Sequence, residues 1–273
     1  MIEDGKQGSG RVPGRMPGRM PEFLRGLADD LILVLIFLTR LPLRLSRAPG
    51  PQALARASWA FPLAGLVVGF AGGAAGWLGA HWGLPPLAAA LLALTTTVIL
   101  TGGLHEDGLA DFADGLGGGA TVARKLEIMR DSRIGSYGAL ALILGLGLRA
   151  SALSMLAGEP FPVWVLTLAS AHALARAGLP VAMRLLPPAR PDGLGAGAGR
   201  PGWPPVLAGV GLALAIAALA GGPLFALRMA AVAGLGGFAC GWQARRHLGG
   251  FTGDVLGGIE QVMETLALLA ALS

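Results

Sequence analysis

Apolar residues run along this chain in blocks longer than soluble helices need. A bilayer crossing takes about 20 such residues. The pattern predicts spans near 59–80, 86–104, 134–157, 161–183, 205–221, 223–243 and 257–272, the last one short. A briefer run, Leu31–Leu43, holds 13 residues and contains Arg40, which predicts an interfacial or re-entrant segment. Residues 1–22 are rich in Gly, Pro and Arg and predict a disordered basic tail. No small-residue cleavage site follows the first apolar run, so no cleaved signal peptide is expected. The expectation is all-α: a polytopic membrane bundle of about seven spans plus the N-terminal segment, with residues 23–273 as one integral-membrane domain.

Composition agrees with that reading. Charged residues are 14% of the chain and hydrophobic ones 53%, against roughly 25% charged in soluble domains. Mean hydropathy is +0.64. The 45 glycines supply the small residues that membrane helices use at close contacts. The single cysteine, Cys240, excludes an internal disulfide. Lys and Arg gather in the tail, in 40–56, in 124–133, in 184–200 and at Arg245/Arg246, whereas the connections near 81–85, 158–160 and 221–223 have none. The positive-inside rule puts the basic regions in the cytoplasm. That rule also accounts for the net charge of +5, and no aromatic–basic interleaving points to nucleic acid. Trp59, Trp77, Trp82, Trp164, Trp203 and Trp242 fall near inferred span ends and predict an interfacial belt.

The polar residues with chemistry sit mainly in Thr101–Gly138. The carboxylates Glu106, Asp107, Asp111, Asp114 and Asp131 and the arginines Arg130 and Arg133 interrupt the apolar pattern there. Asp107, Asp111 and Asp114 are spaced i, i+4, i+7 and share one face of a helix. Like charges that close repel, and a divalent cation such as Mg²⁺ offsets them. Two further stretches belong to the same basic side: Arg190–Gly195, and Arg245–Asp254 leading to Glu260 and Glu264 at i, i+4. Glycines around Asp254 let backbone approach a ligand, and arginine forks suit phosphate oxygens. The set fits a metal-dependent site for a diphosphate. Each part has a plainer reading: a solvated helix face, an Asp131–Arg133 pair, a turn at Asp254, structural contacts at Glu260 and Glu264, an ordinary interfacial His105. Arg149, His172, Arg176 and Arg228 lie inside apolar runs, where charge implies a cavity or a partner.

Four blocks carry a family resemblance: Phe37-Leu-Thr-Arg-Leu-Pro42, Gly103-Leu-His-Glu-Asp-Gly-Leu-Ala-Asp-Phe-Ala-Asp-Gly115, Glu127-Ile-Met-Arg-Asp-Ser-Arg-Ile-Gly135 and Thr252-Gly-Asp-Val-Leu-Gly257. In order and content they resemble the cobalamin synthase (adenosylcobinamide-GDP ribazoletransferase) family, from about Leu31 to the C-terminus. The resemblance implies a multi-pass enzyme of the bacterial inner membrane that uses Mg²⁺. It implies transfer of the adenosylcobinamide phosphate moiety from adenosylcobinamide-GDP to α-ribazole or its 5′-phosphate, with release of GMP. A ribose hydroxyl would attack the phosphorus on the cobinamide side. Asp107, Asp111 and Asp114 are then the leading metal ligands, with Asp131 or Asp254 completing the set and Glu260 and Glu264 as further ligands. Arg40, Arg130, Arg133, Arg190, Thr252, Gly253 and Asp254 are candidates for substrate phosphates. His105 or a carboxylate accepts the proton. The lipid bilayer and other late cobalamin-assembly enzymes are the expected partners. Two other classes compete. A CDP-alcohol phosphotransferase would place an Ala-Arg pair after Asp-Gly, but Asp107-Gly108 is followed by Leu-Ala-Asp. A transporter would show midplane polar groups and an internal repeat.

Overall fold

The computed structural model describes residues 22–45, 47–190 and 197–273. The expected disordered tail lies outside these residues except for Glu22, and so do residues 191–195 of the Arg190–Gly195 stretch. The helices are α1 (Glu22–Leu38), α2 (Ala53–Ala57), α3 (Phe61–His81), α4 (Pro86–Thr101), α5 (Leu104–Gly118), α6 (Val122–Ile128), α7 (Ser136–Ser154), α8 (Phe161–Leu185), α9 (Trp203–Leu248) and α10 (Gly253–Ala271), with a 3₁₀ turn at Ser58–Ala60. The described residues contain no strand, only an isolated bridge between Pro188 and Phe251. The chain is all-α, as expected.

Proline opens α3, α4, α8 and α9, where its missing N–H and fixed φ cost nothing. Four helices are long and apolar enough to cross a membrane: the continuous run Ala53–His81, α7, α8 and α9. A fifth crossing is counted if α4 and α5, bent by 90°, form one broken span. The outer faces of these helices stay apolar, with Leu219, Phe238 and Ile143 each at least 66% exposed, which is how a lipid-facing surface looks. The α9 pattern breaks at Gly221–Gly222, where φ turns positive at Gly222. Val210 and Ala213 before the break line the same groove as Ala230 and Gly234 after it, so the chain doubles back there.

Three expectations need correction. Segment 257–272, expected as a span, forms α10, which is not among the helices apolar enough to cross a membrane. It carries Glu260 and Glu264 in the interior of the bundle. Trp164 is no belt residue. It is fully buried, and a Cβ at Gly76 would collide with its ring. Trp82, Trp203 and Trp242 are exposed, as a belt requires. The N-terminal segment is one helix that begins at Glu22 rather than Leu31. Its Asp30 is buried and accepts hydrogen bonds from Arg56 and from Trp59 Nε1, both at 3.2 Å.

Small residues set the packing that matters for the site. Along α3, Gly65, Gly69 and Gly73 lie against the α8 backbone at His172, Ala169 and Val165 so closely that no Cβ would fit. That contact brings the polar residues of α8 to the middle of the bundle. A second crossing joins α5 to α10, where a Cβ on Gly108 would lie 3.0 Å from both Asp254 O and Gly257 Cα.

Candidate active site

The chain turns 90° between α4 and α5 through Gly102 and Gly103, both at φ +69°. Glycine reaches that left-handed region without strain. The bend lays α5 across the end of the bundle where the basic segments collect. Arg40 is held there because its N–H donates to Leu100 O at 2.7 Å, and its side chain lies over Gly102, where a Cβ would collide with it. Lys125 closes the far end of α5. It is buried, and its Nζ donates to Leu116 O at 2.5 Å and to Gly115 O at 3.4 Å, a favourable place for a cation at a helix C-terminus.

On α5, Asp107 is exposed, Asp111 is half-buried and Asp114 is buried. Asp107 and Asp111 line a cavity of about 530 Å³ together with Arg40, Ser132 and Ile134. The Gly108–Gly257 crossing brings Asp254, at the start of α10, alongside them. Burial first, then repulsion from Asp107, Asp254 and Asp114, pushes the Asp111 carboxyl up to about 7. Burial raises Asp254 as well, against the opposing pull of Thr252 and Arg190. Asp254 accepts hydrogen bonds from Arg190 at 3.1 Å and from Thr252 Oγ1 at 3.2 Å. Thr252 also caps α10 by accepting from Val255 N–H at 3.2 Å. Paired bonds between Phe251 and the Pro187–Ala189 backbone, both 2.9 Å, hold the segment that leads to Arg190. Gly253 begins α10, exposed, beside Asp254.

Asp114 does something different from its two neighbours. Its carboxylate accepts from Gly135 N–H at 2.7 Å and Gly138 N–H at 2.9 Å, so it caps the N-terminus of α7 from across the chain. It also borders a second cavity, of about 520 Å³, lined by Arg124, Arg130, Asp131, Arg133 and Ser136. Asp131 and Arg133 form a forked pair with distances of 2.7–3.2 Å, which holds Asp131 at about 2. The carboxylate cavity and the arginine-rich cavity are thus neighbours along one helix.

Three expected site residues are not brought to this face. His105, Glu260 and Glu264 turn inward to a buried charge network joining α5, α7, α8 and α10. Arg149 Nη1 lies 2.9 Å from Glu264 Oε1 and 3.6 Å from Glu106 Oε1. His172 Nδ1 lies 2.8 Å from Glu264 Oε2. Arg176 Nη1 lies 2.6 Å from Glu260 Oε1, an ion pair whose angle is too poor for a hydrogen bond. His105 Nδ1 is 3.7 Å from Glu260 Oε2. His172, Glu260 and Glu264 place ligand atoms within 4.8 Å of one another, but Arg176 already sits among them, with Nη1 2.9 Å from His172 Nδ1. A guanidinium therefore supplies the positive charge here. The intramembrane charges flagged by the sequence find their partners in this network, except Arg228, which donates to the C-terminal carbonyls of Ala271 and Ser273.

The Asp107, Asp111 and Asp254 carboxylates suit a hard divalent ion. They do not close to the 4.8 Å spacing of a fully protein-built cage. Mg²⁺ is commonly held by one or two carboxylates, with waters and substrate phosphates filling the rest.

Residues 30–272 match the family model described as cobalamin-5-phosphate synthase. A protein of Bradyrhizobium diazoefficiens named adenosylcobinamide-GDP ribazoletransferase is 50% identical over 252 residues, covering 92% of this chain and 95% of its own. Relatives of the same name from Mesorhizobium japonicum (47% identical, 90% and 94% covered) and Brucella canis (42%, 89% and 96%) are also similar. No solved structure matches the chain.

Proposed function

The chain belongs to the cobalamin-5-phosphate synthase family, and we propose that it transfers the adenosylcobinamide phosphate moiety of adenosylcobinamide-GDP to α-ribazole or α-ribazole 5′-phosphate, releasing GMP. The observation that carries this reading is a cavity lined by Asp107, Asp111 and Arg40, with Asp254, itself bonded to Arg190, near enough to act on the Asp111 charge. A transferred diphosphate needs little covalent help from protein and much positioning and charge neutralisation. Asp107, Asp111 and Asp254 would hold Mg²⁺, which would supply neutralisation of the diphosphate charge. Arg40 lines the same cavity. Arg130 and Arg133 line the adjoining cavity and are placed to take further phosphate oxygens. Asp114 acts by fixing the loop between the two cavities onto α7. The proton of the attacking hydroxyl goes to a carboxylate of this face, because His105 is buried on the other side of α5.

The proposed site opens to the cytoplasm of a bacterial inner membrane. The basic segments flank it, and the connections at the other end carry no Lys or Arg. The test is turnover by purified protein in liposomes with adenosylcobinamide-GDP, α-ribazole and Mg²⁺, following cobalamin and GMP by chromatography. Equal amounts of both products, lost without metal and in Asp107→Asn, support the reading. Absence of product from folded protein, with the phosphorylated ribazole also tried, sinks it.

A further inference from the structure

Away from the carboxylate face, α8, both halves of α9 and α10 enclose an apolar groove of about 410 Å³. Its walls are mostly small or aliphatic, among them Ala177, Gly178, Ala213 and Gly234, with Phe238 and Trp242, and a single charged residue, Arg245, lines it. Arg245 is exposed and has no hydrogen-bond or ion-pair partner among the described residues. We infer that this groove holds one acyl chain of an anionic phospholipid, with the lipid phosphate on Arg245.

Dimensions agree with that occupant. From Ala230 to Arg245, α9 rises about 22 Å at 1.5 Å per residue. One leaflet with its headgroup region measures roughly 20–22 Å, half of a bilayer. The groove therefore runs from headgroup depth to the membrane middle, with its charge at the right end. Two cation–aromatic stacks mark that depth independently. Arg246 lies 5.3 Å from the Trp242 ring and Arg184 lies 5.3 Å from the Trp203 ring, the arrangement of an interfacial belt. A phosphate matches the guanidinium fork, and the acyl chain matches the apolar walls.

Gly234 strengthens the case. A helix-interior glycine costs about 1 kcal/mol relative to alanine. Most tightly packed glycines in this bundle have a reason: a Cβ would strike a neighbour. At Gly234 an added Cβ meets nothing within 4 Å. The glycine is not required by protein packing, but it keeps the groove open.

The experiment uses full-length protein in nanodiscs of phosphatidylcholine doped with phosphatidylglycerol that carries a photoreactive group on its acyl chain. The same probe on phosphatidylcholine is the control. Cross-linked peptides are mapped by mass spectrometry. Labelling of 230–241 should favour the glycerol lipid by about fivefold, the preference expected from one basic residue at an anionic headgroup. Arg245→Gln should bring that ratio to about one. Gly234→Leu should remove the groove labelling while thermal unfolding and monodispersity stay unchanged. If Gly234→Leu misfolds, Gly241→Leu replaces it, since a Cβ there touches only Leu186 at 3.6 Å. Equal labelling by the two lipids, or labelling that survives the filled groove in both variants, overturns the inference. So does a Gly234→Cys cross-link between two copies, which would make the groove a protein interface.

Discussion

At the scale of single residues, the acid face of α5 makes a pH prediction. Asp111 keeps its proton to about pH 7 in the folded, cation-free protein, whereas an unfolded chain releases it near pH 3.8. The folded state therefore loses stability as pH rises through that window, and a bound divalent cation reverses the loss. A cation competes with that proton, so apparent Mg²⁺ affinity should fall about tenfold per pH unit below 7. Titrating activity against Mg²⁺ at pH 6 and pH 8, about one decade apart by this argument, checks it. A pH-independent Mg²⁺ requirement would remove Asp111 from the metal site. Asp111→Asn should abolish the pH dependence along with most turnover, by roughly 10²-fold or more as expected for a lost charge-stabilising group. The inward turn of His105 was legible from spacing alone. At about 100° per residue, His105 and Asp107 lie some 200° apart on a helix. His105 shares its face with Gly108 and Phe112, which pack against α10. The family resemblance drew attention to the whole block and hid that geometry.

At the scale of elements, two contacts hold the site, and each predicts a different failure. The α5–α10 crossing depends on Gly108 having no side chain. Gly108→Leu should push α5 off α10, separate Asp107 and Asp111 from Asp254, and remove activity while helical circular dichroism is retained. Normal turnover in that variant would show that Asp254 need not adjoin the α5 aspartates. Arg149 is the other case. It is 1% exposed and serves two carboxylates. Arg149→Met leaves Glu264 buried with less compensation and should cost about 3–5 kcal/mol, read as a lower unfolding temperature in detergent. The double variant Arg149→Met/Glu264→Gln should recover part of that loss, because the uncompensated charge is gone. Sequence spacing put Glu260 and Glu264 on one helix face and noted Arg149, His172 and Arg176 as anomalous. It could not pair them, since which faces meet depends on helix rotation and on the glycine contacts between α3 and α8. The same limit applies to Asp114. Its spacing from Asp107 is right for a shared face, but only the position of α7 shows that its oxygens are taken by Gly135 and Gly138.

At the scale of the whole molecule, α9 governs how often the chain crosses the bilayer. Its 46 residues would extend about 69 Å as one straight helix, more than twice the hydrocarbon core of about 30 Å. The break at Gly221–Gly222 and the groove shared by its two halves favour a hairpin. The Gly-Gly-Pro sequence at 221–223 announced that break. Counted as a hairpin, α9 raises the four apolar crossings to five, or to six with the bent α4–α5 pair as one span, short of the seven expected from the sequence. The prediction is that Arg200 and Arg246 lie on one side of the membrane and Leu224 on the other. Single cysteines at these positions, in a Cys240→Ala background, would be probed with a membrane-impermeant maleimide in intact cells and again after lysis. Leu224→Cys should label in intact cells, and Arg200→Cys and Arg246→Cys only after lysis. If α9 crosses once, Arg200 and Arg246 fall on opposite sides and exactly one of them labels in intact cells. In that case Arg245 and Arg200 would not share a compartment, and the carboxylate face could not have all the basic segments around it.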